Sequence, residues 1–218
     1  MLKLGEKGAI PQRDKETYAI APHIPCGVVT PDLLRKIADV AENYNAQAVK
    51  ITGATRIAIV GLKEEDIDRA WADLGMDKGA AVGLCVRSIR ACPGTTFCRL
   101  GTQDALKIAG ILDERYHGRN LKGKCKMAVS GCRLSCAESW VRDVGLIGDK
   151  DGWKLVIGGN VGALPRIAKE LVTGLTDDEV LDAVDRVVNY YNENANTGER
   201  LGKMIERIGM EPFKAAIG

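Results

Sequence analysis

Four cysteines fall into two pairs whose spacing could hold a metal centre. Five residues separate Cys92 from Cys98, and three separate Cys132 from Cys136. Four thiolates suit either a tetrahedral zinc ion or an iron–sulfur cluster. Zinc sites commonly use shorter pairs that wrap one ion, whereas these wider pairs suit the corners of a cubane. The spacing therefore favours a 4Fe–4S cluster and leaves a zinc-stapled interaction module as the alternative.

The other three cysteines stand alone among apolar or small residues, at Cys26, Cys85 and Cys125. We expect them to be small buried side chains, because free cysteine is among the most buried residue types. With seven cysteines and no export signal at its start, the chain is not expected to form a disulfide framework. Metal binding or redox chemistry in the cytoplasm is the expected use of so many thiols.

The composition is that of an ordinary globular protein and excludes several kinds of partner. The apolar fraction is 45% and the charged fraction is 28%, both within the usual range. The formal net charge of +2 is too small to indicate nucleic acid. Because no apolar run approaches the length of a membrane span, a membrane is not expected either.

Basic residues are dense around the cysteine pairs. Lys122, Lys124 and Lys126 alternate along a predicted strand, so Lys124 and Lys126 fall on one face with Lys122 in line. Arg87 and Arg90 lie shortly before the first pair. Positive side chains beside a redox-type cysteine set suit an anionic substrate and the carboxylates of a cofactor.

The elements that must position these residues alternate between strands and helices. Helices are predicted over 31–44, 64–74, 102–116, 176–193 and 199–208, with Thr30, Thr102 and Thr176 as N-terminal caps. Strands are predicted over 47–51, 55–60, 81–86, 124–130, 144–148 and 153–157. This alternation predicts an α+β fold, with a mixed sheet packed against helices. We expect one unit over 1–218, whose helices from about residue 175 pack on it or form an appendage.

The cysteine pattern resembles that of the sirohaem- and 4Fe–4S-dependent nitrite and sulfite reductases. The surroundings are similar too, in the segments Lys-Ile-Thr-Gly at 50–53, Val-Ser-Gly-Cys at 129–132, Val-Gly-Leu-Ile-Gly at 144–148 and Gly-Gly-Asn at 158–160. The resemblance covers roughly residues 20 to 172. Within the family, the chain looks like the small single-unit assimilatory-type sulfite reductases.

The resemblance implies a chemistry and a set of residues. Cys92, Cys98 and Cys132 would hold only the cluster, while Cys136 would also bridge it to the sirohaem iron. The expected reaction is the six-electron reduction of sulfite to sulfide, with nitrite reduction to ammonia on the same cofactors as the alternative. Catalytic roles fall to Lys122, Lys124, Lys126, Arg87 and Arg90, where either arginine could contact the substrate. Cofactor-binding roles fall to Cys136, Lys50, Thr52, Arg56, Arg133 and Asn160.

The chain differs from most of the family in having one such unit instead of two. In the larger members one half supplies the cysteines and the other supplies the basic residues, whereas this chain carries both. Two copies could therefore form a homodimer that shares its sites, or each chain could be self-contained. Because the sequence has no added ferredoxin-type cysteine motif, an external donor such as a ferredoxin-like protein is expected. An electron carrier with the cluster but no sirohaem is the alternative of another class, which the basic strand disfavours.

Overall fold

The computed structural model describes residues 1–217 and divides the chain into two compact units that meet in sequence at Gly83 and Leu84. Each unit combines one β-sheet with helices. The assignment of the whole chain to one reductase unit stays a prediction.

The first unit, Met1–Gly83, is a four-stranded antiparallel sheet with two α-helices. Its elements are β1 (Ala9–Pro11), β2 (Tyr18–Ile20), α1 (Pro31–Asn43), β3 (Ala48–Ile51), β4 (Ile57–Leu62) and α2 (Ile67–Leu74), and the strand order is β1-β2-β4-β3. The helix α1 begins where predicted, because Thr30 Oγ1 accepts a hydrogen bond from the N–H of Leu33 at 3.2 Å. The helix α2 ends where Gly75 adopts a left-handed conformation.

The core of the first unit lies between its sheet and its two helices. Ile37 of α1 and Trp71 of α2 are buried against Ile20 and Ile59 of the sheet. Strand β3 lies at the sheet edge, and all four of its residues are exposed. This strand carries Lys50, one of the residues expected to bind a cofactor.

The second unit, from Leu84 onward, contains a five-stranded mixed sheet in the order β5-β6-β7-β8-β9. Its elements are β5 (Val86–Ala91), α3 (Gly94–Phe97), α4 (Ala105–Tyr116), β6 (Cys125–Ser130), β7 (Val144–Asp149), β8 (Gly152–Ile157), β9 (Lys169–Leu175), α5 (Asp177–Asn194), α6 (Leu201–Ile208) and α7 (Met210–Ile217). Strands β5, β6 and β7 are parallel to one another, while β8 and β9 join antiparallel. Both cysteine pairs follow parallel strands, because Cys92 comes after β5 and Cys132 comes after β6. The carboxyl ends of parallel strands meet at one sheet edge, so the topology brings the pairs together.

The helices after residue 175 belong to the core of the second unit. Helix α5 begins with the predicted capping box of Thr176 and Glu179. Its residues Val180, Val184 and Val187 are fully buried, and the helix packs on β8, β9 and α4.

Two local predictions were wrong. The strand predicted over 81–86 begins only at Val86 and continues through Arg87 and Arg90. The polar side chains of these arginines interrupt the run of apolar residues from which a buried strand is predicted. The predicted cap Thr102 does not cap α4, which begins instead at Asp104. Thr102 Oγ1 donates to the carbonyl oxygen of Gly131 at 2.9 Å, so its hydroxyl is already used to tie two loops together.

Candidate active site

The first cysteine pair lies on the short loop that follows β5. The N–H of Cys92 donates to the carbonyl oxygen of Val129 at 3.1 Å and so extends the pairing of β5 with β6. The helix α3 then turns the chain, and the N–H of Cys98 donates to the carbonyl oxygen of Gly94 at 2.9 Å. Both cysteines are partly exposed, so their sulfur atoms are accessible to a bound group.

The second cysteine pair lies on a loop that two buried hydroxyls anchor. The Oγ atoms of Ser130 and Ser139 lie 2.8 Å apart, and Ser139 also donates to a carbonyl oxygen of β7 at 2.9 Å. Ser130 Oγ accepts the N–H of Ala137 at 3.2 Å. These bonds fix both ends of the loop, on which Cys136 is the exposed cysteine.

Glycines allow the two loops to touch. A Cβ on Gly131 would lie 2.6 Å from the Cα of Gly94, and a Cβ on Gly94 would lie 2.5 Å from the backbone nitrogen of Ala105. A larger residue at either position would therefore force the backbone apart. At the contact, the N–H of Gly131 donates to Cys92 Sγ at 3.0 Å. Hydrogen bonds to ligand sulfurs are one of the means by which a protein tunes an iron–sulfur cluster.

The loop surroundings contain donors that fit an acceptor-rich group. Within residues 1–217, Ser135 Oγ, Arg90 Nε and Arg142 Nε are buried without a hydrogen-bond partner. Because buried polar groups are normally paired, such atoms point to a missing acceptor. Cluster sulfides and tetrapyrrole carboxylates are acceptors of this kind.

The thiols of the two loops are not arranged around one ion. Within the described part of the chain, no three or more histidine, cysteine, aspartate or glutamate residues lie close enough to hold a single metal ion. A cubane differs from such a site because each of its thiolates binds a separate iron. The four thiols, the N–H aimed at Cys92 and the unpaired donors together fit a 4Fe–4S cluster joined to a tetrapyrrole.

Glu138 holds two arginines beside the second loop. Its Oε2 accepts a hydrogen bond from Arg90 Nη1 at 2.6 Å and another from Arg142 Nη2 at 2.5 Å. The side chain of Arg142 is 9% exposed and that of Arg90 is 18% exposed, so both are held by this carboxylate in a largely dry place. Arg90 is thereby assigned to the surroundings of the cysteine loops.

Arg87 belongs to a different charged group, at the start of β6. Burial lowers the pKa of Lys124, and the charges of Arg200 and Arg87 lower it further. Burial also lowers the pKa of Lys126, followed by the charges of Lys124, Arg142, Arg200 and Arg87. We call Arg87, Lys124, Lys126, Arg142 and Arg200 the basic cluster. Cations gathered in this way attract anions.

One buried carboxylate lies beside the basic cluster. Asp143 is fully buried and accepts hydrogen bonds from Arg200 Nε at 2.7 Å and Nη2 at 2.6 Å. Its Oδ2 also accepts the backbone N–H of Lys126 at 2.7 Å. Burial raises the pKa of Asp143, and the hydrogen bonds from Arg200 oppose that rise. Asp143 pairs with Arg200 and Glu138 pairs with Arg142. Because two carboxylates cannot neutralise five cations, the cluster keeps a positive charge.

The basic cluster and the cysteine loops lie towards opposite ends of β6. Lys126 is the second residue of the strand, and Ser130 is its last residue before the second cysteine loop. Four steps along a strand span about 13 Å. Arg142 lies between the two groups, because it is bonded to Glu138 and its charge also acts on Lys126.

Three other predicted residues of the second unit have protein partners of their own. Arg133 forms two hydrogen bonds with Asp149, at 2.8 and 2.9 Å, and its side chain is 77% exposed. The side chain of Lys122 is exposed, while its N–H donates to the side chain of Asn192 at 3.1 Å. Asn160 is buried, and its Nδ2 donates to the carbonyl oxygen of Leu164 at 2.9 Å, which closes the loop after β8. Their predicted functional roles stay predictions.

The remaining predicted residues lie in the first unit. Lys50 is exposed on the edge strand β3. Thr52 Oγ1 accepts the N–H of Arg56 at 3.2 Å in the turn between β3 and β4. Arg56 is only 3% exposed, and its Nη1 donates to the carbonyl oxygen of Ala21 at 2.9 Å. Their predicted contact with sirohaem also stays a prediction.

The sequence did not single out Glu138, Arg142, Asp143 and Arg200. A charged residue directly before a strand whose first five residues are buried, as Asp143 stands before β7, was the one local signal available. Arg200 pairs with a residue 57 positions away in sequence. No local pattern could reveal that pairing.

Comparisons with known proteins agree with this geometry. The sequence matches the profile of the nitrite and sulphite reductase 4Fe-4S domain over residues 82–218 and that of the nitrite/sulfite reductase ferredoxin-like half domain over residues 10–76. An assimilatory-type sulfite reductase of Nitratidesulfovibrio vulgaris is 44% identical over 211 residues, which cover 97% of each chain. An NAD(P)H nitrite reductase of Bacillus subtilis is 40% identical over 201 residues, which cover 92% of this chain and 25% of that protein.

The fold also matches a solved structure. A crystal structure of a dissimilatory sulfite reductase I superposes with a TM-score of 0.83 at 14% identity, covering 93% of this chain and 69% of that one. At this identity the likeness concerns the fold, and it confirms the predicted α+β class. No helix within residues 1–217 is both long and apolar enough to span a membrane.

Proposed function

The chain belongs to the nitrite and sulphite reductase family, and on that premise we propose that it reduces sulfite to sulfide with six electrons. The observation that carries the proposal is the basic cluster, which surrounds Lys126 on the strand that leads into the second cysteine loop. An electron carrier needs an iron–sulfur cluster but has no use for five gathered cations that only two carboxylates offset. The relative of similar length named as an assimilatory-type sulfite reductase supports the same substrate.

The four paired cysteines are the proposed ligands of the 4Fe–4S cluster. Cys92, Cys98 and Cys132 are partly exposed, and Cys136 is exposed. We assign Cys136 as the bridge to sirohaem, because it holds the bridging position in the motif that the chain resembles and is the exposed residue of the four. The cofactors supply electrons and an iron that binds the substrate anion. The protein supplies the N–H of Gly131, which stabilises the Cys92 thiolate.

The basic cluster binds the anion and supplies protons. Removing oxygen from sulfite consumes protons, and ammonium groups with lowered pKa values donate them more readily than ordinary lysines. Lys124 and Lys126 meet that requirement. Arg87 is the proposed substrate arginine because its charge acts on both lysines, whereas Arg90 is bonded to Glu138. Arg90 and Arg142 instead offer their unpaired Nε groups to cofactor acceptors.

The remaining proposed cofactor contacts are those that the family resemblance implies. Sirohaem carries several carboxylates, so basic and neutral donors are needed around it. The residues proposed for this role are Lys50, Thr52, Arg56, Arg133 and Asn160. We call Lys122, Lys124 and Lys126 the lysine row. Lys122 is its proposed outer member, since the side chain of Lys122 is exposed.

Nitrite is the second candidate substrate. The support for it is the nitrite reductase of Bacillus subtilis, which shares 40% identity over 92% of this chain. Both substrates are oxyanions that gain electrons and protons while losing oxygen, so the same cluster of cations serves either. An external donor, such as a ferredoxin-like protein, is proposed to deliver electrons to the 4Fe–4S cluster.

The optical spectrum of anaerobically purified protein, with iron and acid-labile sulfide analysis, tests the cofactors. A chlorin-type absorption together with iron and sulfide supports the proposal, while iron and sulfide alone would favour the electron carrier. Zinc alone would refute both. Steady-state turnover with sulfite and with nitrite, driven by a chemical reductant, then identifies the substrate.

Two arrangements of the site fit the separation along β6. In a homodimer, Lys124 and Lys126 of one subunit face the sirohaem bound to Cys136 of the other, whereas in a self-contained chain they act in the same subunit. Mixing a Lys124→Ala chain with a Cys136→Ser chain distinguishes them. Partial recovery of turnover supports shared sites, and no recovery in a verified mixed dimer supports self-contained chains.

A further inference from the structure

The segment between α5 and α6 packs directly on the lysine row, which leads into β6. The N–H of Gly198 donates to the carbonyl oxygen of Lys122 at 2.7 Å. Tyr191 Oη donates to the carbonyl oxygen of Glu199 at 2.6 Å, and both oxygens lie against Gly123. This contact brings Arg200, the next residue, to the side of the lysines.

The guanidinium group of Arg200 is held in a fixed orientation. Two of its three nitrogens, Nε and Nη2, donate to Asp143 in a fork-to-fork pair. The side chain of Arg200 is 21% exposed, while that of Asp143 is fully buried. Asp143 also binds the backbone of Lys126 on both sides, because it accepts that residue's N–H at 2.7 Å and donates its own N–H to that residue's carbonyl oxygen at 3.0 Å. Asp143 therefore fixes the side chain of Arg200 and the backbone of Lys126 relative to each other.

The charged groups that act on Lys126 come from several elements. They are Lys124 just ahead of β6, Arg87 of β5, Arg142 and Asp143 ahead of β7, and Arg200 at the start of α6. Arg200 is the member that arrives from the distant C-terminal segment. It is also a cation whose position the Asp143 pair fixes independently of the substrate.

We propose that Arg200, oriented by Asp143, is a positioning residue that holds Lys124 and Lys126 towards the substrate and raises the preference for a dianion over a monoanion. The inference rests on the proposed function and deepens it. Coulomb energy is proportional to the product of the charges. Removing one fixed cation therefore weakens the binding of a dianion such as sulfite twice as much, in free energy, as that of nitrite.

The test compares Arg200→Gln with Arg200→Lys in the cofactor-loaded full chain. For Arg200→Gln we expect kcat/KM for sulfite to fall about tenfold or more, the size of a lost charge-assisted interaction, and that for nitrite to fall about threefold. Arg200→Lys keeps the charge and should keep the ratio between the two anions. The matched control is Arg115→Gln, which removes a surface arginine of α4 that pairs with Asp185 at 3.1 Å. That variant should behave as the parent chain does.

A second readout does not depend on turnover. Trace labelling of lysines with acetic anhydride across a pH series, read by mass spectrometry, reports the pKa of each lysine. We expect Arg200→Gln to raise the pKa of both Lys124 and Lys126, and Arg200→Lys to leave both close to their parent values.

Unchanged lysine pKa values in Arg200→Gln, or equal losses for sulfite and nitrite, would overturn the inference. If Arg200→Gln does not fold, Arg200→Lys decides, because a lost anion preference with the charge retained contradicts the proposal. If the parent chain reduces neither anion, the proposed function fails. The labelling experiment still decides whether Arg200 acts on the lysines.

Discussion

Gly123 and Glu199 lie so close that a Cβ on the glycine would stand 2.1 Å from the glutamate's carbonyl oxygen. The glycine between Lys122 and Lys124 is therefore the position at which the C-terminal segment reaches the lysine row. The lack of a side chain at residue 123 therefore allows the segment that carries Arg200 to lie against the lysines.

Replacing Gly123 by alanine is expected to push this segment away. The added methyl group would also lie 2.2 Å from Tyr191 Oη, and overpacking of this kind costs about 1–3 kcal/mol of the free energy of unfolding. We also expect a higher KM for sulfite, because Arg200 is displaced. Urea unfolding and sulfite kinetics measure the two effects.

The matched control is Gly110→Ala in α4, where a Cβ meets no atom within 4 Å. Alanine in a helix interior is favoured over glycine, so this variant should gain up to about 1 kcal/mol. Equal stability changes in the two variants would contradict the close contact at Gly123.

Lys126 should set the alkaline limit of turnover. Its pKa is lowered by burial and neighbouring cations, so the ammonium form is present below that pKa and is lost as the pH rises through it. We expect turnover to decline below the ordinary lysine value of 10.5. In Lys126→Arg this decline should move to the pH at which Lys124 loses its proton, because arginine keeps its own proton over the whole range and the pKa of Lys124 is also lowered.

Lys126→Gln should lower kcat/KM for sulfite about 100-fold, as the loss of a donor to developing charge does elsewhere. Lys107→Gln is the control, because Lys107 is paired with Asp177 at 2.7 Å on the surface of the second unit. An alkaline limit that is the same in Lys126→Arg as in the parent chain would assign the titration to another group.

Cysteine substitutions should separate ligands from packing residues. Cys92→Ser is expected to lose iron and acid-labile sulfide, while Cys136→Ser is expected to lose turnover through the loss of the bridge. Cys125→Ala should keep both metal and activity, because Cys125 is 1% exposed and its pKa is raised by burial. Iron and sulfide assays, together with optical spectra, measure whether each variant keeps its cluster. Loss of the cluster in Cys125→Ala at intact folding would refute the ligand assignment.

Ser135 should tune the cluster. Its buried Oγ has no partner within the described residues, and it lies between the second pair of cysteines. A hydroxyl that donates to cluster sulfur stabilises the reduced state, so Ser135→Ala should make the reduction potential more negative. Potentiometric titration followed by electron paramagnetic resonance measures the shift. Thr96→Ala is the control, since Thr96 Oγ1 already donates to Asp104 at 3.1 Å, and an equal shift there would exclude a specific bond from Ser135.

Much of the local structure could be predicted because it depends on residues close in sequence. The cap at Thr30, the box at Thr176 and Glu179, and the paired strands β7 and β8 are all determined within a few residues. Strand β5 was misplaced because its polar side chains serve the site instead of the core. The short strands β1 and β2 and the edge strand β9 were not predicted, since their pairing depends on distant partners.

By itself, the sequence determined the cysteine pairs, the lysine row and the family they resemble, because spacing along one strand or loop is a local property. Only the tertiary structure separated Arg87, which acts on the lysines, from Arg90, which binds Glu138. It also brought Arg200 to Asp143 and closed Gly94 onto Gly131. Long-range contacts of this kind arise from the packing of whole elements, and a charge or a glycine gains its role only when packing supplies its partner.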